Sequence, residues 1–245
     1  MATWSNFLDR LPDPRTRIGD GGQSGTGSYG PGFASVKLSS NEPVIKDKTN
    51  SGRHLARAIA SHQWKVSISY NPMTREEFEP IYSFLLQKRG GLTPFYVQLP
   101  QYRTPQNVTF ATYAATSASA LEAEESKAAG ATTLMIGKTG YNYVTNGTPK
   151  PGDMFVVEGV NSNHKKAYMV TRVETYADYQ TGTTRPATYQ VRIHFTPGLQ
   201  RAVTINDDIV FHDTAIKVVL SSDIQSYSLD TNNLYSFSLE MEEVQ

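Results

Sequence analysis

The chain has 245 residues, of which 38% are hydrophobic and 11% aromatic, and its 23 basic and 23 acidic residues give a formal net charge of zero. This length and composition allow one large or two small domains with a folded core. The chain contains no cysteine, which excludes disulfide bonds and thiolate metal sites. It shows neither a run of 18 apolar residues nor a signal peptide, so we expect a product of the reducing cytoplasm without membrane insertion.

The charges are unevenly distributed along the chain. Residues 1–103 hold 13 basic and 8 acidic residues, whereas residues 215–245 hold 1 basic and 5 acidic residues. No segment shows the dense basic stripe of a nucleic-acid-binding protein. We interpret the asymmetry as an acidic C-terminal segment that lies beside the basic N-terminal segment in one domain. The abundance of Tyr, Thr, Ser and Val favours a mainly β protein.

Residues 1–32 are predicted to form an extended arm, because residues 19–32 are rich in glycine and offer a core little to bury. Within the arm, residues 25–30 spell G-x-G-x-x-G, the pattern of dinucleotide-binding loops. Such loops follow a strand and open a helix, whereas here glycine and serine precede the pattern and Pro31 follows it. No cofactor is therefore predicted.

The next segment predicts a long β-hairpin. Residues 33–38 read as a strand, residues 39–52 as a polar loop, and residues 53–61 lead into the strand that follows. A free edge of this length invites aggregation unless another chain pairs with it. The hairpin is therefore either an edge that pairs with a neighbouring copy or a plain surface hairpin.

Residues 64–70 give the clearest strand of the chain. Trp64, Val66, Ile68 and Tyr70 alternate with polar residues, and a period of two is typical of a strand with one buried face. These four side chains are predicted to enter the core.

A helix is predicted from Thr74 to about residue 88. Thr74 and Glu77 form a capping box, and Gly90 supplies a left-handed stop after the last turn. Phe78 and Leu85 lie on one apolar face of this helix.

Pro80 falls inside the predicted helix and removes one of its hydrogen bonds. Either the helix starts later, with Pro80 in its first turn, or it starts at Thr74 and is locally distorted; we favour the earlier start. Residues 95–99 then form a strand, which completes a strand-helix-strand unit.

Residues 104–214 differ in composition and are predicted to form a separate small β-barrel or sandwich. A short helix is expected at residues 121–129, and short strands separated by turn signals follow it. A block of this size is large enough to fold alone. The strands are predicted at residues 133–136, 154–157, 167–173, 189–195 and 209–211.

The C-terminal segment predicts an antiparallel pair of strands at residues 216–220 and 235–241. In the second strand, Phe237 and Leu239 are expected to face the core. Glu240 and Glu242 are expected on its polar face.

Candidate catalytic or metal residues are few. The five histidines show no zinc-binding spacing, and His212-Asp213 lacks a recognisable nucleophile. Acidic pairs also suit glycosidases and calcium sites, but acids in loops are usually only solvated. We therefore predict no catalytic and no metal residue. The acidic pairs considered are Glu122 with Glu124 and Glu125, and Asp207 with Asp208.

Residues 104–214, which we call the middle block, contain six tyrosines in particular whose rings would suit either core packing or the binding of sugars. We favour core packing and keep a host-surface glycan as a further partner. They are Tyr141, Tyr143, Tyr168, Tyr176, Tyr179 and Tyr189.

Residues 64–100, which read WKVSISYNPMTREEFEPIYSFLLQKRGGLTPFYVQLP, resemble the distal tail proteins of long-tailed bacteriophages, most closely the minor tail protein M of lambda-like phages. The resemblance rests on the order of pieces: an amphipathic strand, a short helix with Glu near its start, F-L-x-x-x-x-G-G, then aromatics and a proline. Residues 216–245 resemble the closing strand pair of that family. Residues 102–215 are a departure, because a minimal member lacks them.

The resemblance implies a tail-tube-like β-barrel or sandwich with one helix, formed by residues 1–103 and 215–245, with residues 104–214 as an inserted domain. It also implies a structural virion protein that is assembled in the host cytoplasm. Its copies would form a ring, which in that family is a hexamer. This ring would join the tail tube to the hub or baseplate and pass DNA through a pore without sequence-specific binding. Glu240 and Glu242 are candidates to line the pore, where like charge would keep DNA from sticking.

Three alternatives remain open. The first is a ring that initiates or terminates the tail tube. The second is a carbohydrate-binding module centred on residues 104–214. The third is an enzyme acting on the cell wall, which would need a convergent set of polar groups in a cleft.

Overall fold

The computed structural model describes residues 10–14, 17–18, 28–58, 61–116, 121–158, 163–175, 178, 189–223 and 225–244. The chain is mainly β, which confirms the predicted fold class. It divides into two compact units, one formed by Met1–Val97 with Lys217–Gln245 and the other by Gln98–Ile216.

The described strands and helices follow one another along the chain as follows. The strands are β1 Arg17–Ile18, β2 Ser28–Tyr29, β3 Phe33–Asn41, β4 Val44–Lys48, β5 His54–Ala58, β6 Gln63–Tyr70, β7 Phe95–Gln98, β8 Glu122–Ala123, β9 Thr133–Gly137, β10 Met154–Glu158, β11 Asn163–Thr175, β12 Gln190–Thr196, β13 Asp208–Val210, β14 Ala215–Leu220, β15 Ser228–Leu229, β16 Tyr235–Ser236 and β17 Ser238–Glu243. The helices are α1 Arg75–Gln87, α2 Val108–Ala115 and α3 Tyr143–Asn146, with one 3₁₀ turn at Pro100–Tyr102.

The first unit is built on a five-stranded sheet with the order β3-β6-β17-β14-β7. β6 is the second strand and pairs antiparallel with both β3 and β17, with Ile68 opposite Leu239 and Ser67 opposite Glu240. The predicted antiparallel pairing of the last two long strands is confirmed, since Val219 of β14 lies opposite Glu242 of β17. Segments far apart in the chain therefore share one sheet.

Helix α1 begins at its predicted cap. The backbone N–H of Thr74 donates to Oε2 of Glu77 at 3.0 Å, and the Thr74 hydroxyl donates to the same oxygen at 3.1 Å. Pro80 lies inside the helix, so the early start is confirmed. After the helix, Arg89 and Gly90 take left-handed φ values of 55° and 64°, and this reverses the chain.

The buried face of α1 joins an aromatic cluster on the sheet. The ring of Phe78 lies 4.5 Å from Tyr235 and 5.6 Å from Phe237, measured between centroids. Further along the helix, Phe84 packs edge-on against Phe95 of β7 at 5.4 Å. The helix thus packs against residues from both chain segments of the unit, Met1–Val97 and Lys217–Gln245.

The predicted long hairpin is present, but the prediction of a polar loop at residues 39–52 is wrong. β3 continues to Asn41, and β4 and β5 then form a two-stranded sheet of their own. Asp47 lies opposite Leu55, and a turn at residues 49–53 closes the hairpin. Alternation gave no signal here, because neither face of this hairpin is buried.

The second unit contains a closed barrel with the order β10-β11-β12-β9-β8-β13, closed by β13 against β10. Phe155 lies at the centre of its core. Its ring centroid lies within 5.5 Å of those of Tyr168, Phe195 and Phe211. This barrel is the small inserted β fold that the strand pattern indicates.

The helix expected at residues 121–129 is wrong. Glu122–Ala123 forms β8, which pairs with both β9 and β13, and Lys127 makes a β-bridge to Val203. The helix lies earlier, at Val108–Ala115, where the Asn107 side chain accepts from the N–H groups of Thr109 and Phe110. Barrel pairing outweighs the helical propensity of the alanine-rich segment.

Only part of the predicted arm at residues 1–32 lies within the described residues. β1 pairs antiparallel with β2, and the N–H of Leu11 donates to the Tyr96 carbonyl at 2.9 Å, beside β7. Residues 25–27 of the G-x-G-x-x-G pattern lie outside the described ranges, and its next two residues, Ser28–Tyr29, form β2. Among the described helices, none is long and apolar enough to cross a bilayer.

Candidate assembly surfaces

The residues predicted to pack the sheet and helix of the first unit are all buried, with at most 6% of each exposed. They pack the core that positions the surfaces of the unit. They are Trp64, Val66, Ile68, Tyr70, Phe78, Leu85, Phe237 and Leu239.

The opposite face of this sheet is polar and carries the two candidate pore residues. We name the outward-facing residues of β3, β6, β17 and β14 the solvent face. Glu240 is exposed and lies opposite Ser67, which in turn lies opposite Lys37 of β3. Glu242 is half-buried and lies directly opposite Lys65.

The solvent face therefore carries charges of both signs. Adjacent strands lie about 4.8 Å apart, so Lys65 is an immediate neighbour of Glu242, and Lys37 is two strands from Glu240. Lys217 projects from the same face of β14, because it is two residues from Val219, which pairs with Glu242. The expected lining of negative charge was based on the two glutamates alone, whereas in the sheet lysines lie beside them.

A second surface is the hairpin formed by β4, β5 and their turn, which we name the hairpin arm. The apolar side chains of Val44, Ile45 and Leu55 are 39%, 57% and 46% exposed. Ile45 lies opposite Arg57 and Asp47 lies opposite Leu55, so these four share one face. Two isolated strands are at best marginally stable in water, so these exposed apolar side chains make the arm a candidate contact surface.

The acidic pairs of the barrel take part in local ion pairs and hydrogen bonds. Glu122 lies 2.6 Å from the ammonium group of Lys138. Glu124 accepts from the Gln190 amide at 3.0 Å. Glu125 accepts from a backbone N–H at 2.9 Å. Burial raises the pKa of Asp208, and the nearby Glu122 adds to that rise. Among the described residues no cluster of three His, Asp or Glu side chains could hold a metal ion.

The carboxylate of Glu174 lies close to two arginines and a histidine on the barrel. Its carboxylate lies 2.8 Å from Arg172, 3.3 Å from His194 and 3.5 Å from Arg192. The close contact with His194, followed by the charge of Arg172, lowers the pKa of Glu174. This arrangement ties together β11 and β12, the strands that contribute all four residues.

The tyrosines of the middle block divide between core and surface. Tyr168 and Tyr141 are fully buried. The hydroxyl of Tyr168 accepts from a backbone N–H at 3.0 Å, and that of Tyr141 donates to a backbone carbonyl at 2.7 Å. Tyr143 and Tyr189 are half-buried. Tyr176 and Tyr179 lie outside the described residues.

Sequence comparisons relate the chain to distal tail proteins of phages. Residues 11–102 match the family model described as distal tail protein pb9, A domain, N-terminal. The resemblance to phage distal tail proteins is confirmed. The chain is also 27% identical over 246 residues to the distal tail protein pb9 of Escherichia phage T5, covering 96% of this chain and 98% of that protein. It is therefore a structural tail component and part of the virion.

The length of the match also bears on the middle block. Because the similarity covers nearly the whole of both chains, residues 98–216 lie within the region shared with the T5 protein. The matched family model, by contrast, ends at residue 102. The sequence of the barrel unit is thus part of the region that aligns with the T5 protein.

Proposed function

We propose that copies of this chain form a closed ring, by family resemblance a hexamer, that joins the tail tube to the hub or baseplate. DNA passes through the pore of this ring without sequence-specific binding. The protein acts as an adaptor rather than an enzyme, and it assembles in the host cytoplasm before it enters the virion. The relationship to a phage distal tail protein supports a tail position.

The exposure of the hairpin arm is the observation that supports the proposed ring. Every described side chain of β4 and β5 is exposed, including Ile45 and Leu55. A neighbouring copy that covered the arm would remove this apolar surface from water, at about 25 cal/mol per Å². The arm and the surface that receives it are different parts of the chain, and such heterologous contacts close into rings when the rotation between copies allows it.

The solvent face is our candidate for the pore lining. Its serines and its interleaved Lys and Glu residues offer DNA neither a basic track nor an apolar surface. A mixed-charge wall limits adhesion without building a strong repulsive field. Glu240 and Glu242 then offset the positive charge of the lysines on this face, and they do not by themselves make the face negative.

A ring that starts or ends the tail tube would use the same arm. Electron microscopy of assembled tails separates these roles, because it shows whether the ring lies between tube and hub. Labelling the barrel unit would mark the copies in such side views.

The ring itself is tested by measuring the mass of the purified chain and imaging the assembly. The double variant Ile45→Ser/Leu55→Ser removes the apolar side chains of the arm and should abolish ring formation and incorporation into tails. Val144→Ser is the matched control, because Val144 is 73% exposed but belongs to the barrel unit. Rings that persist in the double variant, or tails that contain a single copy, would contradict the proposal.

A further inference from the structure

An open cleft lies at one end of the five-stranded sheet, between the β15–β16 hairpin and the ends of β6 and β17. Its volume is about 450 Å³, which falls within the range of small-molecule sites. It adjoins the end of the solvent face, to which Ser69 and Ser238 belong, and it is separate from the hairpin arm. The lining residues are Ser69, Tyr70, Ser226, Tyr227, Ser228, Ser236, Phe237 and Ser238.

The lining is neutral and rich in hydroxyl groups. It contains five serines and three aromatic residues, and none of the lining residues carries an acidic or basic side chain. Each serine hydroxyl can both donate and accept a hydrogen bond. A charged ligand would lose hydration here without gaining a partner charge. The chemistry of the walls therefore favours a neutral ligand with many hydroxyl groups.

The hydroxyl of Tyr70 supplies a second observation. It is buried and, within the described part of the chain, has no hydrogen-bond partner. Buried polar groups in native proteins are almost always paired, so an orphaned hydroxyl is expected to hold a bound water. Burial also raises the pKa of Tyr70, with a smaller contribution from Asp13, so its phenol remains a neutral donor at physiological pH.

Part of the backbone of the cleft is already engaged. The N–H of Tyr70 donates to the Phe237 carbonyl at 3.1 Å, Ser69 pairs with Ser238, and Ser228 pairs with Ser236. A peptide that binds by adding a strand uses main-chain groups of this kind. The Ser69 hydroxyl is also engaged, since it lies 2.7 Å from that of Ser35. The remaining serine hydroxyls and the ring face of Tyr227 are groups that suit a sugar.

Tyr227 presents an exposed aromatic ring at this cleft. It is 49% exposed, and its ring lies 5.0 Å from Phe78, 5.4 Å from Tyr82 and 5.5 Å from Tyr235 between centroids. These contacts hold the ring without covering it. An immobilised half-exposed aromatic ring provides a flat apolar surface on which a sugar can stack.

From these observations we infer that the cleft binds a neutral pyranose sugar, with Tyr227 stacking on the ring and the serines of β15–β17 bonding its hydroxyls. The sugar can come from a glycan of the host surface or from a free saccharide, and both present the same chemistry. This inference does not depend on the ring, because the cleft lies within a single copy of the chain.

The test is titration of the full chain with glucose, galactose and N-acetylglucosamine, monitored by ligand-observed NMR. We expect millimolar binding of at least one of them, and glucuronic acid should not bind because its carboxylate finds no partner. Tyr227→Ala and Ser236→Ala should each weaken binding about fivefold to tenfold. Ser67→Ala is the matched control, since Ser67 belongs to the solvent face and should leave binding unchanged.

Thermal melting of each variant shows whether it is folded, and Ser228→Ala provides an exposed replacement if Tyr227→Ala is unstable. Adsorption of the chain to host cells that is competed by the same free sugar would assign the source to the cell surface; binding of the free sugar alone would assign it to saccharides. The inference is overturned if none of the three sugars binds or if the cleft variants bind like the wild type. It is also overturned if those variants alter only self-association, since that outcome makes the cleft an interface between copies.

Discussion

Strand β6 and the hairpin arm belong to the same unit and follow one another in the chain, yet they are stabilised differently. β6 has a neighbour on each side and buries every second side chain, with Ile68 completely inaccessible. The arm has two strands, and Ile45 and Leu55 remain about half exposed. Both regions thus form paired strands, but only β6 buries its apolar side chains.

This difference separates folding from assembly. The apolar residues of β6 stabilise the chain whether or not other copies are present. The apolar residues of the arm contribute little to the stability of the chain while they remain exposed, and under the proposed ring they would be covered by a neighbouring copy. Substitutions in the two regions should therefore affect different measurements.

The largest effect is expected in β6. Ile68→Ala should lower the free energy of unfolding by about 2–5 kcal/mol, because it removes buried methyl groups and leaves a cavity. Urea denaturation measures this loss. Ser67 is the neighbouring residue and lies on the opposite face of the sheet. Ser67→Ala should change the free energy of unfolding by less than about 0.5 kcal/mol. Equal effects of the two would break the distinction between the faces of the sheet.

Two glycines with positive φ sharpen the comparison. Gly90 has φ of 64°, and an added Cβ would lie 2.8 Å from Oδ1 and 3.1 Å from Cα of Asp223. Gly52, in the turn of the arm, has φ of 80° and would meet nothing within 4 Å. Gly90→Ala should cost roughly 1–3 kcal/mol of unfolding free energy in urea denaturation. Gly52→Ala should cost less, and a larger loss from it would show that the arm is integral to the fold.

The pH dependence of the barrel follows from Glu174. Its pKa is lowered in the folded state by His194 and then by Arg172, so the stabilisation is present above the ordinary value of 4.5 and is lost as the pH falls below it. Glu174→Gln should therefore flatten the decline of stability in acid, measured by urea denaturation at a series of pH values. A decline as steep as that of the wild type would show that other carboxylates dominate it.

The smallest effect on folding is expected in the arm. Ile45→Ser/Leu55→Ser should change the unfolding free energy of the monomeric chain by less than about 0.5 kcal/mol, measured at a protein concentration where no ring is present. The same variant should lose assembly, as described above. A loss of several kcal/mol in the monomer would instead mean that the arm folds against its own chain.

Local signals predicted local structure well. Thr74 and Glu77 indicated the start of α1 because a capping box acts within one turn, and the alternation from Trp64 to Tyr70 indicated β6 because one of its faces is buried. The arm gave no such signal, since strands exposed on both faces have no apolar period. The helix at Val108–Ala115 was missed because it is rich in Val, Thr and aromatic residues, which favour strands; its capping residue Asn107 was the one usable sign.

The candidate surfaces were only partly predictable. Glu240 and Glu242 followed from the alternation of the last strand, but Lys65 and Lys37 stand beside them only because β3, β6 and β17 pair in one register. The cleft was not predicted at all. Its serines and rings come from residues 69–70 and 226–238, and sequence spacing does not show that they meet.

The sequence by itself determined the mainly β character, the cap and stop of α1, and the resemblance to phage distal tail proteins, because these depend on residues that are close in the chain. The tertiary structure decided the charge pattern of the solvent face, the exposure of the arm and the formation of the cleft. These depend on which distant strands pair and in which register, and a shift of a single residue would turn every side chain to the opposite face.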